Sequence, residues 1–257
     1  MTVTDQFERE VQLAANIIRE SRFTVVLTGA GSSTPSGIPD FRSPSSGLWE
    51  QYDPFEVASI NAFRYNPDKF YNWMRPLAKG IVAAQPNPAH RGLAQLESAG
   101  LVEAVITQNF DGLHQRAGSK KVLEVHGTLD TLTCVSCYQQ FDAANFRQAY
   151  IEDGIIPHCE DCSGTLKPDV VLFGEQLPAR IWLQAQEFSE KCEAMVVAGS
   201  SLEVLPVAGL PMRAIEHGAH LIIINQSETY IDVRADVVLS ADVAKVIPWI
   251  VTEVLGD

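Results

Sequence analysis

The chain reads as an α/β protein on a parallel, doubly wound sheet with a second, smaller unit, and three features predict this. Short, continuously apolar segments recur along it and alternate with stretches of helical periodicity. Several of these segments end in glycine or in polar side chains, as strands do where an open α/β sheet binds its ligand. Four cysteines in two Cys-x2-Cys pairs interrupt the alternation between residues 130 and 166, marking a metal-stabilised insertion.

The elements follow in order. Residues 4–20 put Phe7, Val11, Ala14 and Ile18 on one stripe, which predicts an amphipathic helix. FTVVLTGAG (23–31) is a β-branched run closing on glycines, as a buried parallel strand would. Residues 32–54 are rich in Ser, Pro and Gly and predict a long functional loop. Aromatic helical segments span 55–84, with Phe63, Phe70, Tyr71 and Trp73 available to pack. A helix (90–99), a strand (101–109), a short helix (111–117) and a strand closing on His126 and Gly127 come next. Beyond the cysteines, strands are expected at 169–173, 194–201, 219–225 and 235–240, with helices between them. A final helix is expected at 242–255, where Pro248 predicts a kink or a shifted start. The larger unit should take residues 1–40, 85–128 and 166–257, and the smaller one 41–84 and 129–165.

Bulk properties exclude several classes. The 257 residues carry a net charge of −13, which argues against generic nucleic-acid binding and suits a cationic partner such as a lysine-bearing peptide. No apolar run reaches the roughly 18 residues of a membrane span. Residues 1–20 carry acids and no basic leader pattern, so a cytoplasmic protein is expected. Five cysteines, an odd count without a secretory signal, make a disulfide framework an unsuitable reading.

The chemistry-bearing motifs lie at the predicted strand ends. TGAGSS (28–33) lets backbone approach a ligand closely, but Thr34 replaces the last glycine of a dinucleotide fingerprint. Gln108, Asn109 and Asp111 offer two amides and a carboxylate that suit ribose hydroxyls and a carboxamide; alone they read equally as a turn capping the next helix. His126, neutral near pH 7, suits a general base. Cys134, Cys137, Cys159 and Cys162 close an all-thiolate tetrahedral site with no open position, which predicts one structural zinc. His158 is a neighbour of that site, and Cys192 a core residue.

GAGSSTPSGIPDFR (29–42), TQNFDGLHQRAG (107–118), EVHG (124–127), the paired cysteines, KPDVVLFGE (167–175), GSSLEV (199–204) and IIIN (222–225) together resemble the sirtuins. The likeness runs in order through nearly the whole chain. It implies a Rossmann-like large domain, a smaller helical and zinc-ribbon domain, and NAD-dependent removal of acyl groups from protein lysine. NAD would be a consumed co-substrate. Its contacts by resemblance are Gly29, Ala30, Gly31, Ser33, Asp40, Phe41 and Arg42 in the first motif, with Gln108 facing a ribose. Asn109 and Asp111 would line the nicotinamide pocket and count with His126 as catalytic, His126 activating a ribose hydroxyl. Gly199, Ser200 and Ser201 would meet the diphosphate or adenosine ribose, Asn225 a ribose, and Asp242 and Val243 the adenine. The acyl-lysine would run past Phe41, Val171 and Phe173, with Gly174 and Glu175 opening a loop that pairs with the peptide; Val170 and Leu172 read as strand interior.

Two departures bear on specificity. Phe110 stands where the family has Ile or Val. Sirtuins that take succinyl or malonyl lysine carry Tyr-x-x-Arg, whereas here Tyr71 is followed by Met74 with Arg75 one position later, about 100° around a helix. A neutral acyl group, acetyl foremost, is therefore expected. Three other readings stay open: an NAD-dependent dehydrogenase, a protein ADP-ribosyltransferase, and a non-enzymatic NAD or ADP-ribose sensor.

Overall fold

The computed structural model describes residues 3–43 and 47–256. Its strands are β1 (Thr24–Thr28), β2 (Ala104–Thr107), β3 (Val122–Glu124), β4 (Gly127–Cys134), β5 (Gln140–Asp142), β6 (Leu166–Val170), β7 (Ala194–Ala198), β8 (His220–Ile224) and β9 (Val237–Leu239). The helices are α1 (Val3–Glu20), α2 (Pro54–Val57), α3 (Ile60–Tyr65), α4 (Pro67–Ala83), α5 (Pro88–Ser98), α6 (Leu113–Ala117), α7 (Ala144–Asp153), α8 (Ala179–Lys191), α9 (Leu210–Glu216) and α10 (Val243–Leu255).

Six strands form one sheet in the order β3-β2-β1-β7-β8-β9, with every pairing parallel. β1 and β7 are buried along their whole length, which explains why both read as unbroken apolar runs rather than as an alternation. Val26, Val105, Val196 and Ile222 face a layer made by α1, α5 and α10. Val25, Leu27, Met195 and Ile223 face the opposite layer, under α8 and α9. The chain winds outward from β1 in one direction and from β7 in the other, so a crevice opens between the carboxyl ends of those two strands. Helices begin where the sequence supplies a cap: Ser59, Asn66, Asn87 and Asp242 each accept a backbone N–H. α10 starts at Val243 and runs through Pro248, so the proline does not shift its start.

The smaller body joins α2, α3 and α4 to an antiparallel sheet in the order β5-β4-β6. Phe63, Phe70, Tyr71, Trp73 and Met74 are buried at its centre. The Tyr71 hydroxyl donates to the Leu166 carbonyl, and the Tyr150 hydroxyl donates to the Tyr71 carbonyl at 2.5 Å, which ties α4, α7 and β6 together.

One strand expectation is corrected. The segment expected at 169–173 in the parallel sheet instead runs as β6 and pairs antiparallel with β4. Its burial alternates, with Leu166, Pro168 and Val170 inside and Lys167 and Asp169 half-exposed. That is the pattern of a ribbon with one wet face, and Pro168 cannot donate to a central ladder. The region 130–166, expected to be a metal-stabilised insertion, carries β5, α7 and most of β4.

The β4–β6 register shifts between Gly127 and Leu132. Asp169 secures this bulge by accepting the Thr131 hydroxyl at 2.5 Å, the Thr133 hydroxyl at 2.6 Å and the Gln140 amide at 2.7 Å. Gly127, at φ 78°, lies so close that a side-chain carbon there would fall 1.9 Å from the Asp169 carbonyl oxygen. Among the described residues, no helix is long and apolar enough to cross a membrane. Gly127→Ala is expected to destabilise the protein by about 2–4 kcal/mol, read as a lowered urea midpoint. An unchanged midpoint would mean the ribbon yields to the extra carbon.

Candidate active site

A single cavity of about 930 Å³ occupies the crevice at the carboxyl ends of β1, β2, β7 and β8 and reaches across to the smaller body. Of the residues singled out in the sequence, Gly29, Ala30, Gly31, Asp40, Phe41, Arg42, Gln108, Asn109 and His126 line it. So do Val171, Phe173, Gly174, Glu175, Gly199, Ser200, Ser201, Asn225, Asp242 and Val243. Ser33 and Asp111 do not. They sit one layer behind the wall, bonded to each other, with the Ser33 hydroxyl donating to Asp111 Oδ2 at 2.7 Å.

The glycines serve first to bring two loops together. Gly31 N–H donates to the Gly199 carbonyl at 2.9 Å, and a side-chain carbon on Gly29 or Gly31 would fall 2.9 Å from that oxygen. Gly199 sits at φ 64°, where a side-chain carbon would fall 2.3 Å from Ser32 N. The loops after β1 and β7 thus meet backbone to backbone.

Asn109 is the hub beneath them. Its Nδ2 donates to the Gly29 carbonyl at 3.0 Å and to the Ser32 and Ser33 hydroxyls, each at 3.1 Å. With the amide nitrogen so committed, Oδ1 makes no hydrogen bond among the described residues and is the acceptor left for a ligand. Gln108 Nε2 donates to Ser200 Oγ at 2.8 Å. Asp111 Oδ1 accepts Leu113 N–H at 2.9 Å and so serves the first N–H of α6, whose N-cap position is Gly112. Burial raises the Asp111 pKa, while the Ser33 and Leu113 hydrogen bonds work against that. Below lies a neutral polar layer: His114 Nε2 is 3.0 Å from Thr28 Oγ1, which donates to Thr107 Oγ1 at 2.9 Å. Burial lowers the pKa of His90 to about 4 and that of His114 to about 3.

His126 Nδ1 lies 3.1 Å from the Gln108 carbonyl. In the neutral ring that nitrogen carries the proton, which leaves Nε2 as an acceptor. Burial lowers the His126 pKa, the Gln108 hydrogen bond opposes this, and nearby Arg42 lowers it further. The backbone carbonyl of His126 also accepts Val171 N–H at 2.8 Å, which couples the imidazole to the segment expected to hold substrate.

The first loop is organised from within. Asp40 accepts Arg42 N–H at 2.9 Å, Ser43 N–H at 2.7 Å and the Ser43 hydroxyl at 2.6 Å, so its carboxylate shapes the turn. Arg42 reaches Glu203 at 3.4 Å across the mouth; both are partly exposed, and salt screens such a pair. Trp49, which the sequence reading passed over, stacks on Trp73 at 5.8 Å and meets Phe41 at 5.1 Å and Phe173 at 6.0 Å. Trp182, Gln176 and Gln226 also line the cavity, and no local pattern marked them.

Among the described residues, the apolar end of this cavity carries no cation for a carboxylate. Met74 lines the cavity, and Tyr71 is buried with its hydroxyl on Leu166. Arg75 turns away: Nε donates to the Ile151 carbonyl at 3.0 Å and Nη2 to the Glu152 carbonyl at 2.6 Å. It thereby satisfies orphan carbonyls at the carboxyl end of α7. Met74 and Phe110 also line a second cavity of about 220 Å³ behind this wall.

The sulfurs of Cys134, Cys137, Cys159 and Cys162 all lie within 4.8 Å of one another. Cys134–Cys162 is 3.5 Å and Cys137–Cys159 is 3.6 Å. Four thiolates about 2.3 Å from one tetrahedral ion stand roughly 3.8 Å apart, so the cluster fits a single metal. His158 lies outside it, and Cys192 is buried between α8 and β7.

The Sir2 family profile matches residues 29–206. The NAD-dependent protein deacylase 2 of Archaeoglobus fulgidus is 48% identical over 248 residues, covering 96% of this chain and 97% of that protein. A structure described as the basis for the mechanism and regulation of Sir2 enzymes superposes with TM-score 0.91 at 46% identity, covering 97% and 99% of the two chains. A Sir2 variant bound to a deacetylated peptide and 3′-O-acetyl-ADP-ribose superposes with TM-score 0.89 at 40% identity, covering 95% and 98%.

Two outcomes are expected of this geometry. The His126 ring, followed by NMR, should titrate below the ordinary value of 6.5, so its free Nε2 persists as pH rises and is lost only on acidification. Titration above 6.5 would contradict the burial. Cys134→Ala should lose its bound metal by atomic spectroscopy and unfold at lower temperature, because the four-thiolate site supplies folding free energy; a metal-free variant of unchanged stability would refute that role.

Proposed function

The chain belongs to the Sir2 family, and we propose that its cleft removes acetyl and other neutral acyl groups from protein lysine while consuming NAD. The observation that carries this reading is His126, a neutral imidazole with a free acceptor, in one cavity with Asn109 and an aromatic-walled apolar end.

Each residue then has a task. The glycine loops and Ser200 and Ser201 take the diphosphate and the adenosine side of NAD, with Asn225, Asp242 and Val243 farther along. Asn109 Oδ1 accepts a hydrogen bond from the nicotinamide ribose or carboxamide. Asp111 and Ser33 act from behind the wall by holding Asn109 and the loop. Phe41, Val171 and Phe173 wall the acyl-lysine, and exclude water where the reactive ribose carbon is exposed. The acyl oxygen attacks that carbon and nicotinamide leaves. His126 Nε2 draws the proton from the 2′-hydroxyl as it attacks the acyl carbon. Water completes the balance, giving free lysine and O-acyl-ADP-ribose.

Arg75 is engaged by α7 and Met74 offers no charge, which favours neutral acyl groups over succinyl. Met74 is a flexible side chain, and with Phe110 it separates the cleft from the second cavity, so chains longer than acetyl have space to enter if it swings. Zinc is the metal assigned to the four thiolates, with a structural role because no ligand position is left open.

The test is mass spectrometry of acetyl- and succinyl-lysine peptides with and without NAD. NAD-dependent loss of acetyl, with nicotinamide and O-acetyl-ADP-ribose in step, is expected, with succinyl turnover at least about tenfold slower. His126→Ala should abolish turnover and retain metal. Equal turnover of succinyl peptide would overturn the acyl assignment, and silence on every acyl peptide would overturn the reaction.

A further inference from the structure

The segment proposed to dock the acyl-lysine peptide is an arch, Pro168 to Gly174, whose two flanking residues hold one another. Lys167 Nζ meets Glu175 Oε2 at 3.0 Å, and the side chains retain only 13% and 24% of their exposure. The same ammonium donates to the Pro168 and Val170 carbonyls, each at 2.9 Å. Its three protons thus have three acceptors, all within the arch or at its end. Glu175 Oε2 in turn accepts Leu172 N–H at 2.9 Å, and Glu175 N–H donates to the Leu172 carbonyl at 2.9 Å.

Two further arch amides are taken by the fold. Val171 N–H goes to the His126 carbonyl at 2.8 Å and Phe173 N–H to the Ala58 carbonyl at 2.9 Å, while the Phe173 carbonyl accepts Ile60 N–H at 3.0 Å. From Val171 to Gly174, this leaves the Gly174 N–H and the Val171 and Gly174 carbonyls without partners among the described residues. A peptide backbone needs such a donor and acceptor, fixed in place, to add itself as a strand. The arch therefore presents a defined edge only while Leu172 stays turned toward Glu175, and Glu175 stays put because Lys167 neutralises it.

We propose that Lys167 is a positioning residue for the acyl-lysine peptide, acting through its ion pair with Glu175 to hold the docking arch in the conformation that accepts the peptide backbone. This rests on the deacylase reading above. Desolvation largely offsets the attraction within such an ion pair, so its net contribution to stability is small. Loosening the arch makes the peptide supply the ordering that Lys167 now supplies, so its apparent affinity falls. The cofactor side of the cleft, built from the loops after β1 and β7, shares no hydrogen bond or ion pair with either residue among the described residues and should not respond.

The experiment compares Lys167→Met, Lys167→Arg, Glu175→Gln and the Met/Gln double variant with the parent. Steady-state kinetics use an acetyl-lysine peptide and NAD, with calorimetric ADP-ribose affinity, metal content and melting temperature measured alongside. Lys167→Met is expected to raise the peptide KM about tenfold with kcat within about threefold. ADP-ribose affinity and metal content should be unchanged. Glu175→Gln should match it, the double variant should be no worse than either, and Lys167→Arg should recover part of the loss. An unaltered peptide KM would overturn the proposal, as would parallel losses of ADP-ribose affinity and melting temperature, which mark a merely structural residue. Amide hydrogen exchange gives a reading that needs no turnover: Lys167→Met should speed exchange at Leu172 at least about tenfold while β4 amides hold. A parent protein silent on all acyl peptides would sink the deacylase reading, and the exchange result would still decide whether Lys167 holds the arch.

Discussion

Everything at the cleft depends on the contact between Gly31 and Gly199, where the loops after β1 and β7 touch without side chains between them. An open sheet diverges at this point, and a side chain on either loop would wedge it wider. Because the loops touch, the Gly29 carbonyl and the Ser32 and Ser33 hydroxyls converge on one amide, Asn109. Asn109 is followed into place by its neighbour Gln108, whose carbonyl sets the tautomer of His126 and whose side chain reaches Ser200. One backbone contact thus fixes the polarity of the whole wall.

The wall is set before any ligand arrives. Its polar atoms that do not face the cavity are bonded to one another, and the layer beneath is held neutral by burial, His90 and His114 included. At this part of the wall a ligand therefore meets fixed dipoles, while the charged pair Arg42 and Glu203 stands at the mouth. The aromatic end is built differently: Phe41, Trp49, Trp73 and Phe173 pack by shape, and their rings carry no obligation to hydrogen-bond beyond the indole N–H groups.

Much of this was legible in the sequence because the period of burial matched the period of hydrophobicity. The runs at 23–31, 194–201 and 219–225 are buried on both faces and read as unbroken apolar strands. The paired cysteines were legible because thiolate spacing is a local property. VVLF misled because its apolar residues belong partly to β6 and partly to the arch beyond it, and the alternation that identifies β6 begins earlier, at Leu166. Asp40 and Asp111 were legible as polar residues of their motifs, but the bonds each also makes, Asp40 within its own turn and Asp111 to Ser33 and Leu113, depend on folded neighbours that a local pattern does not display. Trp49 was illegible for a similar reason, since its partners Trp73 and Phe173 lie far away in the chain.

β4 begins one residue after His126 and ends on a cysteine of the four-thiolate cluster, Cys134, with its bulge fastened by Asp169. The small ribbon is consequently not an exchangeable module. A graft that replaced it with another four-cysteine knuckle, however well that knuckle folded, would inherit the task of aiming the imidazole. Whatever moves the ribbon's first strand moves His126 with it.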